Sequence, residues 1–142
     1  MPYTSQADLT DRYGERLLVE LTDRGEVATG TVSTDAVDRA IADADALIDG
    51  YLGVRYALPL AATPPLVADI ARAVAIHKLH VYTPSEKVEA DFRHALKMLD
   101  DIAAGRLRLP VAGVEPEGQG GSGARMTDRD RPFTGDNLKG FV

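Results

Sequence analysis

Apolar side chains recur along most of this chain at three- and four-residue intervals, the period of an α-helix that buries one face. The clearest run follows Ser33, where Val37, Ile41, Ala44, Ile48 and Tyr51 form an apolar arc with Ala40, Leu47 and Leu52 beside it. Ser33 is placed to cap that helix, and Asp35 falls in its first turn near the positive end of the helix dipole. The helix fails near Gly50 to Gly53, and VRYALPLAATPP cannot be helical through Pro59, Pro64 and Pro65, so it reads as an ordered apolar connector. Pro64 and Pro65 suit the first turn of another helix, with Leu66, Ile70, Ala73, Val74, His77 and Val81 on one stripe and a stop before Pro84. Thr83-Pro84-Ser85-Glu86 then has the form of a capping box, with Thr83 at the cap and Glu86 three residues on. The helix it predicts carries Val88, Phe92, Ala95, Leu96, Leu99, Ile102 and Ala103 on one face and stops at Gly105. Two long helices joined by a tight turn predict an antiparallel hairpin.

Two shorter elements precede these. Thr4 to Tyr13 reads as a short helix stopped by Gly14, and Glu15 to Thr22 as a two-turn helix whose stripe is Leu17, Leu18 and Leu21. Helices this short are not stable alone and must lean on the longer ones. Asp23 to Val32, with Gly25 and Gly30, reads as an exposed loop. The fold class is therefore all-α, a small bundle of four to five helices with a helical hairpin. After Pro110 the composition changes, because GQGGSG at 118–123 offers no apolar surface to offset the entropy of ordering. The expected organisation is a helical domain over residues 1–117, then a flexible linker and an extended C-terminal docking arm over 118–142. In that arm Met126, Phe133, Leu138 and Phe141 are spaced apolar anchors in a polar context, as in segments that order by docking on a partner. The bland alternative is a disordered end with chance apolar residues.

Charge sharpens this division. The 142 residues carry a formal net charge of -6. The arm holds Arg125, Arg129, Arg131 and Lys139 against Asp128, Asp130 and Asp136, near +1, so the body before residue 118 sits at -7. A conventional basic nucleic-acid binder does not fit such a body, whereas the arginines suit the acidic body of a neighbouring copy. Asp35, Asp38, Asp45 and Asp49 fall within about a quarter-turn of one helix. They form either a solvated face or an electrostatic surface toward DNA or a partner. A straight helix cannot wrap a calcium ion.

Other chemistry is thin. The longest uncharged apolar stretch, Tyr56 to Ala68, is short and broken by prolines, so no bilayer-spanning segment is expected. No export segment is visible at the start, which fits synthesis in the cytoplasm. With no cysteine there is no thiolate nucleophile and no sulfur-ligated metal. His77 and His80 stand at i and i+3, with His94 further on, but His77 lies on the apolar stripe and suits a core histidine better than a metal ligand. No nucleophile elbow or phosphate loop occurs, and a helix-turn-helix reading offers only Lys87, Arg93 and Lys97 amid acids on its second helix. No cofactor and no catalytic residue is expected.

The run Ala40 to Leu60, AIADADALIDGYLGVRYALPL, joins an acidic helix to an Arg55-Tyr56-x-Leu58-Pro59 connector. With Tyr3, Asp8 and Leu9 at the start, Asp69-Ile70-Ala71, and Gly105-x-Leu107-x-Leu109, it resembles the phage Mu-like virion protein family over about residues 2–109. The ending RPFTGDNLKGF at 131–141 is also similar to ends in that family. The resemblance implies a head–tail connector, or head-completion protein, without enzyme activity. Such a subunit forms a ring, typically of twelve copies, in the virion neck between the portal and a tail-side neck or tail terminator protein, with double-stranded DNA passing through. It also implies an arm that grips the portal or a neighbouring subunit, here carried by Arg125, Arg129, Arg131, Phe133, Leu138 and Phe141. An acidic face of Asp35, Asp38, Asp45 and Asp49 turned to the lumen would repel the DNA backbone. For Arg55, Tyr56 and Pro59 a structural role in the connector loop is expected, with Arg55 paired to an acid. The competing reading is a small monomeric or dimeric helical protein, regulatory or DNA-associated.

Overall fold

Ser5 opens the first helix by a reciprocal exchange: its hydroxyl accepts from the Asp8 backbone N–H, and the Asp8 carboxylate accepts from the Ser5 N–H at 3.0 Å. The structure, a computed structural model, describes residues 2–111. It holds five helices, α1 (Gln6–Tyr13), α2 (Glu15–Thr22), α3 (Thr34–Leu52), α4 (Pro65–Leu79) and α5 (Glu86–Ala103), and no strand among the described residues. Gly14, at φ 88°, ends α1 and starts α2, a turn that a side chain would strain. None of these helices is long and apolar enough to cross a membrane.

Helix α4 is the centre of the bundle. It packs against α3, α5 and α1, and buries Val67, Ile70, Ala71, Val74, Ala75, Ile76 and Leu79. The predicted stripe is corrected here: Leu66 and Ala73 are only half-buried, and Val81 lies beyond the helix and is exposed. Packed against three helices, α4 leaves only Asp69 and Lys78 of its charged residues exposed, too little polar contrast for periodicity to orient it. On α3 the expected arc holds, with Val37, Ala40, Ile41, Ala44, Ile48 and Leu52 buried and Leu47 and Tyr51 at its edge.

The hairpin runs antiparallel. Near the turn the His77 ring stacks on Phe92, centroids 3.8 Å apart, while Ile70 and Ala73 share a cleft with His94 and Met98 one to two turns further along. The start of α5 differs from the expected capping box. Ser85, not Thr83, is the N-cap, its hydroxyl accepting from the Val88 N–H at 3.4 Å. Pro84 therefore precedes the cap and Glu86 becomes the first helical residue, still favourably near the positive helix end. Ser33 occupies the N-cap of α3 without a side-chain cap bond. Its N–H instead donates to the buried Thr22 hydroxyl at 3.0 Å, and that hydroxyl donates to the Leu18 carbonyl at 2.7 Å, so Thr22 ties the end of α2 to the start of α3.

The loop at 23–32 is exposed for most of its length but ordered from within. The Asp23 carboxylate accepts the backbone N–H of Thr29 at 3.0 Å and of Gly30 at 2.9 Å. These contacts hold its carboxyl below the usual range. Arg24 donates to the carbonyls of Leu21 and Leu79, joining the C-terminal ends of α2 and α4. The bundle thus has one end built from the 23–32 loop and the 80–85 turn, and an opposite end built from the connector after α3 and the residues after α5.

Candidate assembly site

The connector and the chain's exit from the bundle meet at that second end. Residues after α3 turn back on it, the Tyr56 N–H donating to the Leu52 carbonyl at 2.8 Å, and this swings the Tyr56 ring into the core, where it is 4 % exposed. The Tyr56 hydroxyl accepts the Leu109 N–H at 3.0 Å, both groups buried, and Leu109 is itself part of the core. Beside it α5 ends at Gly105 (φ 78°), where the Arg106 N–H closes the last turn by donating to the Asp101 carbonyl at 2.8 Å. The Arg55 guanidinium lies on Gly105 so closely that a Cβ there would stand 2.3 Å from Nη1. Pro59 follows in the exposed part of the connector, after a cis Leu58–Pro59 bond. Arg55, Tyr56, Gly105 and Leu109 therefore fix the point and direction in which the chain leaves the bundle.

The four aspartates of α3 do not form one solvated face. Asp35 and Asp38 are exposed, whereas Asp45 and Asp49 are half-buried and hold down the N-terminal segment. Asp45 Oδ1 accepts the Tyr3 N–H at 3.0 Å, and Asp49 accepts the Tyr3 hydroxyl. Tyr3 and Thr4 are buried as a result. Burial, together with the Asp49 contact, pushes the Tyr3 phenol well above its usual range. Burial also raises the Asp45 carboxyl, and the nearby Asp49 charge adds to this. A carboxyl raised in the folded state contributes stability at low pH that is lost as pH rises through its folded value. Asp45→Asn keeps an acceptor for the Tyr3 N–H and removes a half-buried charge. Its melting temperature at pH 7 is expected at or above that of the unmodified chain, with the difference closing toward about pH 4, near the ordinary Asp value. Thermal unfolding at both pH values checks this, and a clear loss of stability at pH 7 would refute it.

The histidines do not converge. His77 Nε2 meets the Glu89 carboxylate at 3.0 Å while its ring covers Phe92, and His80 Nδ1–H donates to the Ile76 carbonyl at 2.7 Å. Each side chain is thus engaged in joining or closing helices. Among the described residues no group of three or more His, Asp or Glu could hold a metal ion. The arm residues Arg125, Arg129, Arg131, Phe133, Leu138 and Phe141, like the linker at 118–123, lie outside the described residues.

Sequence reasoning missed the Tyr3–Asp45–Asp49 fastening and the Leu109–Tyr56 bond, both between residues more than 40 positions apart. The signal for the first was an N-terminal Tyr beside a four-Asp helix face, which periodicity reads as solvated.

Comparison with known proteins decides the family. The family described as Bacteriophage Mu, Gp36 matches residues 3–128. The chain belongs to this family. It is similar to gene product J of Escherichia phage Mu, 30 % identical over 142 residues and the full length of both chains. It is also similar to the Mu-like prophage FluMu protein gp36 of Haemophilus influenzae, 24 % identical over 140 residues, covering 99 % of this chain and 98 % of that one. The family match begins at Tyr3 and takes in the five helices, the exit at Leu109 and Arg125, while the alignment with gene product J runs on through Phe133, Leu138 and Phe141.

Proposed function

We propose that this Mu Gp36 family member is a structural virion protein, a head–tail connector subunit that assembles as a ring, of about twelve copies, beneath the portal. It is made in the host bacterial cytoplasm and ends in the virion neck, contacting portal on one side and a tail-side neck or tail terminator protein on the other. It works by assembly rather than catalysis and needs no cofactor. The observation that carries this reading is the exit clamp. Tyr56 and Arg55 hold the chain at Leu109 and Gly105, so the described chain ends at a fixed point on a small helical body. A fixed exit followed by a sequence that carries Phe133, Leu138, Phe141 and three arginines suits gripping a neighbour. Double-stranded DNA would pass through the ring without sequence-specific contact, and the Asp35 and Asp38 carboxylates, exposed on α3, suit a lumen wall that repels phosphate.

Native mass spectrometry of the full chain with and without a candidate portal, against a chain ending at Glu117, tests the reading. Portal-dependent binding of many copies, abolished by removing 118–142, is the expected result. A stable dimer with no portal binding in either form would instead favour a small regulatory or DNA-associated protein, since a dimer interface is isologous and a ring interface heterologous. A ring reconstruction with Asp35 and Asp38 facing outward would remove the channel role.

A further inference from the structure

Residues 2–30 are attached to the rest of the bundle by a loosely packed seam. The apolar side chains they bury are Tyr3, Leu9 and Leu18, with Tyr13, Leu17 and Leu21 half-buried against the core. Helix α3 alone buries six residues and α4 seven. Four clefts of about 250 to 490 Å³ lie along the seam, each walled by residues 2–30 on one side and by α3, α4, α5 or the 80–85 turn on the other. Close packing supplies much of the cohesion of a protein interior, so a seam interrupted in this way holds weakly. Polar bonds fasten it at separate points. The Tyr3 N–H donates to Asp45 and its hydroxyl to Asp49, the Thr22 hydroxyl accepts from the Ser33 N–H, and Arg24 donates to the Leu79 carbonyl. Arg16, by contrast, pairs with Glu20 inside α2.

We infer that residues 2–30 form a cap that opens as one unit, hinged at 31–33 and latched by Tyr3, while α3, α4 and α5 stay folded. Helices α1 and α2 pack on each other and share the Gly14 turn, so they move together. The 23–30 turn travels with them, because the Asp23 carboxylate accepts the N–H groups of Thr29 and Gly30 and closes that turn on itself. Units of this kind, with few buried apolar groups and exposed edges, open at lower free energy than the core they rest on. Opening uncovers Ile41 of α3 and Ile70 and Met98 of the hairpin, apolar side chains that line the seam. The cap is thus a lid over an apolar face of the remaining three-helix body, in the single subunit and independently of the connector reading.

Native-state hydrogen exchange on the full chain tests the cap. The hydrogen-bonded amides of α1 and α2 should share one level of protection, at least about 100-fold below that of the α4 interior. Two variants identify the opening. Ala90→Gly combined with Lys97→Gly, both exposed on α5, weakens that helix through its backbone alone. Protection in α4 should fall by about tenfold while α1 and α2 stay unchanged, because α5 remains helical when the cap opens. Tyr3→Phe keeps the ring and removes the bond to Asp49. It should lower protection in α1, α2 and α4 by one common factor of about tenfold, since the latch is lost in cap opening and in global unfolding alike. Three results would each overturn the inference: α1 and α2 protected to the level of α4, α1 and α2 losing as much as α4 in the glycine variant, or a Tyr3→Phe chain in which α1 is freed and α2 is not.

Discussion

Replacing Tyr56 by Ala is expected to destabilise the protein by about 3–5 kcal/mol, the usual cost of deleting a buried aromatic ring. The ring is 4 % exposed and sits where the connector folds back under the exit segment, so its removal leaves a cavity that α3 and the connector cannot both fill. A second loss is separable. Tyr56→Phe keeps the ring but strands the buried Leu109 N–H, which donates to the hydroxyl at 3.0 Å. An unsatisfied buried donor costs about 1–3 kcal/mol. Chemical denaturation of both variants checks the two magnitudes. Amide exchange at Leu109 checks the mechanism: in Tyr56→Phe this amide should lose protection more than those in the middle of α4. Equal loss throughout would mean that the bond contributes only to global stability and does not fix the exit. On the connector reading the same variant should also weaken portal binding, because the chain beyond Leu109 no longer starts from a fixed point.

Gly105→Ala is expected to cost about 2–3 kcal/mol and lower the melting temperature by on the order of 10 °C. Two causes add. At φ 78° an alanine occupies the left-handed region, at about 1–2 kcal/mol, and its Cβ would stand 2.3 Å from Arg55 Nη1, displacing the guanidinium from its seat. A double-mutant cycle separates them. Once Arg55→Ala has removed the guanidinium, adding Gly105→Ala should cost only the backbone part, so the double variant should be more stable than the two single losses sum to. Strict additivity would show that Arg55 moves aside freely and that glycine is needed for its backbone alone.

Much of the helical framework was legible because it is written locally. Gly14 and Gly105 have the positive φ that their positions as stops require, and Val37 to Leu52 repeats at the period of a helix with one buried side, whereas α1 starts at Gln6, two residues later than the hydroxyls at Thr4 and Ser5 suggest. Where two local signals competed, the wrong one was favoured. Thr83-Pro84-Ser85-Glu86 fits a capping box starting at Thr83, yet Ser85 offers an equally good hydroxyl to Val88 and takes the cap. At α4 the signal was weak, placing Ile70 and Val74 inward but not Val67, Ala71 or Ile76, since burial on several sides reduces the amphipathic contrast from which a face is read.

The candidate site was legible as residue names and not as contacts. Arg55 and Tyr56 stood out from their motif, but their partners Gly105 and Leu109 lie about 50 positions away, and no periodicity links them. Asp45 and Asp49 read as solvated because a helix wheel shows only the helix's own residues, whereas Tyr3 covers them from 42 to 46 positions upstream. Local signals were enough to lay out the helices and their stops, to separate the acidic body from the more basic residues after 117, and to carry the resemblance to Mu-type phage proteins. Packing alone settles that Asp35 and Asp38 stay in solvent while Asp45 and Asp49 do not, and that the chain leaves the bundle beside Tyr56. The physical reason is that caps, turns and periodicity act within a few residues, while burial is set by whichever distant segment arrives to cover a surface.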